Sequence, residues 1–121
     1  MADDDRGDPD VFVTDVLAAS VTADEPRFLD SPLGKLALVR DGETLLAIDA
    51  WCPHLDGPLW EGSTAKGQIA CPWHGWRFSL RTGECVWAPA GDAEEAAETQ
   101  LRVLATRTGP RGFVEIVLPP E

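Results

Sequence analysis

The chain has 121 residues, of which 21 are Asp or Glu and 10 are Lys or Arg, giving a net charge of −11. That length fits one small domain with a modest core and leaves no room for a second catalytic domain of ordinary size. The charge argues against nucleic acid or an anionic membrane surface as a partner, since both recruit basic patches, and favours a basic protein partner instead.

Taken in chain order, residues 1–10 hold Asp3, Asp4, Asp5, Asp8 and Asp10 against Arg6 alone. This acidic, aperiodic stretch is expected to be disordered, and it lacks both the positive n-region and the apolar run of a secretion signal. The apolar runs at residues 36–39 and 45–48 are far shorter than the roughly 20 residues needed to cross a bilayer. A soluble, cytoplasmic protein is therefore expected, with residues 11–121 forming one domain.

Val11, Phe12, Val13, Val16, Leu17 and Val21 suggest a first strand interrupted near Thr14-Asp15. Asp24-Glu25-Pro26 and Ser31-Pro32-Leu33-Gly34 read as loops. Residues 35–40 and 43–50 flank Asp41-Gly42, which predicts a tight hairpin whose second arm puts Leu46 and Ile48 on one face and runs straight into Trp51-Cys52. Residues 55–70 read as a loop plus a short strand. A second hairpin is expected around Arg81-Thr82-Gly83, with arms at residues 76–80 and 84–88. Residues 92–99 form an acidic, alanine-containing stretch that suits either a single helical turn or an extended segment. A last hairpin is expected at residues 101–108 and 112–118, with Val114, Ile116 and Leu118 on one face and Glu115 on the other. The chain is thus read as mostly β.

Two cassettes carry the chemistry: Cys52-Pro53-His54 and Cys71-Pro72-Trp73-His74. Each offers one thiol and one imidazole, and they contain both histidines of the chain. Three cysteines cannot all pair with one another, so thiolate ligation in a reducing compartment is favoured over a disulfide framework. Thiolate with neutral imidazole suits zinc, copper or iron–sulfur iron, whereas calcium and magnesium require oxygen ligands. A zinc finger supplies a cysteine pair and then a histidine pair, while here each loop supplies one of each. Mixed loops suit a two-iron cluster in which one iron takes both cysteines and the other both histidines. Zinc on the same four ligands stays open as the rival occupant.

The stretches Cys52-Pro53-His54-Leu55-Asp56-Gly57-Pro58-Leu59 and Cys71-Pro72-Trp73-His74-Gly75-Trp76-Arg77-Phe78, followed by Thr82-Gly83, resemble the two cluster-binding loops of Rieske proteins. More narrowly, they resemble the Rieske ferredoxins and Rieske domains of bacterial ring-hydroxylating oxygenase systems. The resemblance is dense from residue 51 to about residue 89 and holds only in pattern and order outside it. It implies a Rieske-like fold of antiparallel sheets with a small cluster-binding subdomain at about residues 51–89, and one [2Fe-2S] cluster. By the same resemblance, Cys52 and Cys71 would bind the inner iron, and His54 and His74 the outer one.

Rieske proteins of respiratory and photosynthetic complexes carry an extra cysteine in each loop and join the loops by a disulfide. Gly57 and Trp73 stand at those places here, and Trp76 stands where that branch has a serine hydroxyl bonded to the cluster. Fewer donors to the cluster imply a potential near the lower end of the Rieske range, about −150 mV. Cys85 is read as a buried core thiol. The five tryptophans, all within residues 51–87, are read as the core of the subdomain, with Trp73 as the one best placed to shield the cluster or line a docking surface. Pro89 resembles the proline-containing loop that covers the cluster in this family. Leu55, Trp73, Trp76 and Pro89 are the candidates for cluster surroundings or docking.

A Rieske oxygenase subunit also needs a mononuclear iron held by two further histidines and a carboxylate, and a nicotinamide or flavin domain needs Gly-x-Gly-x-x-Gly. Neither set is present in these 121 residues. The expectation is therefore a one-electron carrier, not an enzyme, that takes electrons from a flavin reductase and gives them to a terminal oxygenase, both with basic docking surfaces. The alternatives are the small Rieske-like subunit of a nitrite reductase and a cluster-bearing sensor or assembly module. The acidity suits electrostatic steering, and it equally suits solubility. Asp92, Glu94, Glu95 and Glu98 are read as a solvated loop.

Overall fold

The computed structural model describes residues 11–22, 26–53, 57–73 and 75–118. The elements are β1 (Val11–Leu17), β2 (Arg27–Ser31), β3 (Gly34–Asp41), β4 (Thr44–Asp49), β5 (Ser63–Ala65), β6 (Gln68–Ala70), β7 (Arg77–Ser79), β8 (Cys85–Trp87), α1 (Ala93–Ala97), β9 (Val103–Thr108) and β10 (Phe113–Val117). They form a six-stranded sheet in the order β1-β10-β9-β4-β3-β2 and a four-stranded sheet in the order β5-β6-β7-β8. Every pairing is antiparallel, as expected for a mostly β chain.

Two apolar clusters share β3 between them. Leu36 and Leu38 face Val16, Val21, Ala47, Leu104, Val114 and Ile116, so strands from both ends of the large sheet meet and the sheet curls around this cluster. Ala37 and Val39 point the other way, onto Cys52, Leu59, Ile69, Cys71, Trp76 and Phe78. Successive side chains of a strand point to opposite faces, so a strand buried on both faces reads as an unbroken apolar run. This is why Leu36, Ala37, Leu38 and Val39 are all fully buried.

The β3–β4 hairpin turns one residue later than the sequence suggests. Asp41 pairs with Thr44, so the two-residue loop is Gly42-Glu43. Gly42 takes φ +63°, the conformation that a glycine-first hairpin turn requires at that place. Leu46 and Ile48 do share the face that looks toward the small sheet.

Four other expectations are refined. The irregularity near Thr14-Asp15 is a bulge in a continuous strand: Phe113 pairs with Leu17 and Glu115 with Val13. Thr14 Oγ1 replaces the lost ladder contacts by donating to the Val114 carbonyl at 2.8 Å and accepting the Val16 N–H at 3.1 Å. Between the two loop signals at residues 24–26 and 31–34 lies an edge strand, β2, joined to β3 through Pro32-Leu33; residues 24 and 25 lie outside the described residues. Residues 55–70 hold a 3-10 turn, Leu59–Glu61, and two strands, since Lys66 and Gly67 both take positive φ and close a β5–β6 hairpin. Within residues 92–99 the helical alternative holds: α1 (Ala93–Ala97) follows a 3-10 turn at Ala90–Asp92 and ends before Glu98 and Thr99.

Val114 and Ile116 are buried together as expected, and Glu115 faces the other way, but it is not in solvent. It is only 8% exposed and accepts a hydrogen bond from Arg107 Nε at 2.7 Å.

Candidate metal centre

Both cassettes are built on one local plan. The N–H of Cys52 donates to the carbonyl of Gly57 at 2.7 Å, and the N–H of Cys71 donates to the carbonyl of Trp76 at 2.8 Å. Each cysteine thus opens a loop closed by a carbonyl five residues on. Loop 52–57 is seated on the large sheet, with Ala50 N–H on the Lys35 carbonyl at 3.0 Å and Leu59 N–H on the Ala50 carbonyl at 2.9 Å. Loop 71–76 runs between β6 and β7 and tightens through Gly75, whose N–H donates to the Cys71 carbonyl at 3.0 Å and whose φ is +75°.

The loops converge. A β-carbon placed on Gly57 would lie 2.7 Å from Cys71 Sγ and 3.3 Å from Trp73 Cγ, so the bare backbone of one loop lies against the thiol and the indole of the other. Cys52 and Cys71 are 0% and 3% exposed and belong to one core cluster, and neither forms a disulfide. Two buried thiols from twin loops, with a bare glycine of one loop against the thiol of the other, fit the soft half of an iron–sulfur donor set. His54, Leu55 and His74 lie outside the described residues.

The tryptophans do not form one core. Trp76 is fully buried, whereas Trp51, Trp73 and Trp87 are 40%, 57% and 52% exposed. Trp76 is therefore not a docking residue. Its Nε1–H donates to Asp92 Oδ2 at 3.2 Å, so Asp92 is not simply part of a solvated loop. Trp51 stacks edge-on against Trp60, which stacks edge-on against Phe28, forming an aromatic row beside the first loop. The rings are amphipathic and large, and a small subdomain covers its core with their faces while leaving their edges wet.

Trp73 and Pro72 are exposed beside Cys71, and Pro89 is half-buried before the Ala90–Asp92 turn. Val86 and Trp87 are exposed with Gln68, Gly75 and Arg77 around a shallow groove of about 600 Å³ that borders the second loop. Cys85 is half-buried, not buried, and lies 3.3 Å from the Trp87 carbonyl. Burial pushes its thiol above the ordinary range, and the backbone at Trp87 and Arg77 offsets part of that rise.

Sequence reasoning singled out Gly57 only as the place of a missing cysteine. It read Asp92 only as part of a solvated acidic loop and did not identify it as a tertiary partner of Trp76.

Comparison with known proteins follows the same lines. The sequence family described as the Rieske [2Fe-2S] domain matches residues 12–106. Cholesterol 7-desaturase nvd of Hemicentrotus pulcherrimus is 30% identical over 98 residues, covering 78% of this chain and 21% of its own length. The chain thus spans about a fifth of that relative. Apo dicamba monooxygenase superposes with a TM-score of 0.76 at 25% identity, covering 93% of this chain and 34% of its own. The ferredoxin of Sphingomonas yanoikuyae B1 superposes with a TM-score of 0.70 at 24% identity, covering 85% of this chain and 94% of its own, a likeness of fold. Among the described residues no helix is long and apolar enough to cross a membrane. The twin cysteine loops and the match over residues 12–106 together place this chain in the Rieske [2Fe-2S] domain family, with one Rieske-type [2Fe-2S] cluster as its cofactor.

Proposed function

We propose that this chain is a one-electron carrier that takes electrons from a flavin reductase and delivers them to a terminal oxygenase in the cytoplasm. In this reading residues 11–121 act as one Rieske domain, with a cluster-binding subdomain at about residues 51–89. Cys52 and Cys71 hold the inner iron, and His54 and His74 hold the outer iron. The observation that carries the reading is the convergence of two identically closed cysteine loops at Gly57 and Cys71. When bound, the cluster accepts and releases a single electron.

The chain's own residues do the rest. The buried thiols sit in an apolar core that keeps water from their side of the cluster. Each ligand histidine uses one ring nitrogen for iron and keeps the other for a partner or a proton. Exposed Trp73 and Pro72, with Leu55 and Pro89, make an apolar docking tip, and the acidic surface steers it onto basic partner faces.

The likeness of fold to a ferredoxin supports the carrier reading, and the same fold makes up a third of a monooxygenase chain. The test is a titration with reductant, followed by reduction through a ferredoxin reductase and reoxidation by cytochrome c. The reading expects uptake of one electron per chain and onward transfer. Stable copurification with a large siroheme subunit would replace it with the nitrite reductase alternative.

A further inference from the structure

Asp92 occupies the N-cap position of α1, where an aspartate ordinarily accepts a hydrogen bond from an N–H of the first helical turn. It makes no such bond. Its carboxylate instead accepts the Nε1–H of Trp76, sixteen residues earlier and fully buried, at 3.2 Å. A residue that forgoes its local role for a distant one marks a constraint imposed by the tertiary structure. Trp76 in turn closes the second cysteine loop, since its carbonyl accepts the N–H of Cys71 at 2.8 Å. One residue therefore links the Asp92 carboxylate to the backbone of a proposed iron ligand.

The neighbouring contacts agree. Ala88 and Ala96 pack on the cluster of buried residues that contains Cys52, Cys71 and Trp76. The ring of Trp87 comes within 3.6 Å of where a Gly75 β-carbon would stand, against the same loop. Residues 87–97 are thus pinned at both flanks by apolar contact and in the middle by a hydrogen bond to a charged acceptor, the stronger class of such bonds.

We infer that Asp92 is a positioning residue for the cluster: through Trp76 it clasps residues 88–97 against loop 71–76 and restricts solvent access to the Cys71 side. The inference rests on the assignment of the cluster to that loop. Asp92→Ala removes the acceptor, Asp92→Asn keeps it without the charge, and Glu94→Gln removes a first-turn charge from α1. All three are compared as purified holoprotein by the rate of cluster bleaching in excess chelator and by deuterium exchange of residues 71–76.

Asp92→Ala is expected to speed bleaching roughly tenfold, the factor for losing a charge-assisted hydrogen bond, and to raise exchange in the loop. Asp92→Asn, which keeps a neutral acceptor worth about half of the charge-assisted bond, should fall between at about threefold, and Glu94→Gln should stay within about twofold of the parent. An unchanged Asp92→Ala variant overturns the clasp. So does an Asp92→Asn or Glu94→Gln variant as fast as Asp92→Ala, which would make charge or helix stability the cause. A colourless parent protein contradicts the cluster assignment instead, and loop exchange then still decides the clasp.

Discussion

Gly57 lies so close to the Cys71 thiol that a β-carbon at residue 57 would stand 2.7 Å from Sγ. Real β-carbons do not approach that closely, so Gly57→Ala must push one cysteine loop away from the other. Overpacking of this kind costs about 1–3 kcal/mol. Gly57→Ala should therefore lower both the melting temperature and the iron content per chain, and a variant with full iron content would show that the loops are not held this tightly.

The side chain at residue 76 also predicts the potential. Its N–H is engaged with Asp92, and no serine stands at that position to donate to the cluster. The midpoint is expected near the lower end of the Rieske range, about −150 mV. A protein-film or dye-linked titration that returned a midpoint well above zero would contradict this.

Much of this site is legible in the residues, because spacing and chemistry coincide in the two Cys–His cassettes and because Leu45, Leu46 and Ile48 lead directly into Trp51-Cys52. Strand β2 was not legible: it is an edge strand whose Phe28 is half in solvent, so its apolar pattern is thin between two loop signals. The β5–β6 hairpin was hidden because Lys66 takes a positive φ that a lysine does not advertise. The dispersal of the tryptophans, one in the core and three at least 40% exposed, follows from how the small sheet packs on β3 and β4, and no local pattern encodes that. Asp92 read as part of a solvated acidic stretch because only charge is visible locally, and its bond to Trp76, sixteen residues away, is a tertiary contact that no local pattern encodes.

Cys85 gives a pH prediction. Its thiol is raised above the ordinary value of 9.0 in the folded protein by burial, so the folded state holds its proton at alkaline pH where the unfolded chain has lost it. The resulting stability is fully present below the ordinary value and is lost as pH rises above it. Urea melts between pH 7 and 10.5 should show a steeper alkaline loss for the parent than for Cys85→Ala. Identical slopes would remove Cys85 as the cause.

Electron transfer should depend on salt and on the apolar tip separately. Raising ionic strength from 0.01 to 0.15 M shortens the screening length from roughly 30 Å to about 8 Å, so transfer to a basic partner should slow several-fold. Leu55→Asp should slow transfer at every salt concentration while leaving the visible spectrum intact. Stopped-flow rates unchanged by either would place docking elsewhere.

The central claim is that Cys52, His54, Cys71 and His74 hold an iron–sulfur cluster. The most direct measurement is the visible spectrum with iron, sulfide and zinc analysis of the purified protein and of Cys52→Ser, His54→Ala, Cys71→Ser, His74→Ala and Cys85→Ser. The account predicts a coloured parent with about two irons and two sulfides per chain, colour lost in the first four variants and kept in Cys85→Ser. A colourless, zinc-containing parent, or a cluster that survives any one of those four substitutions, would contradict it.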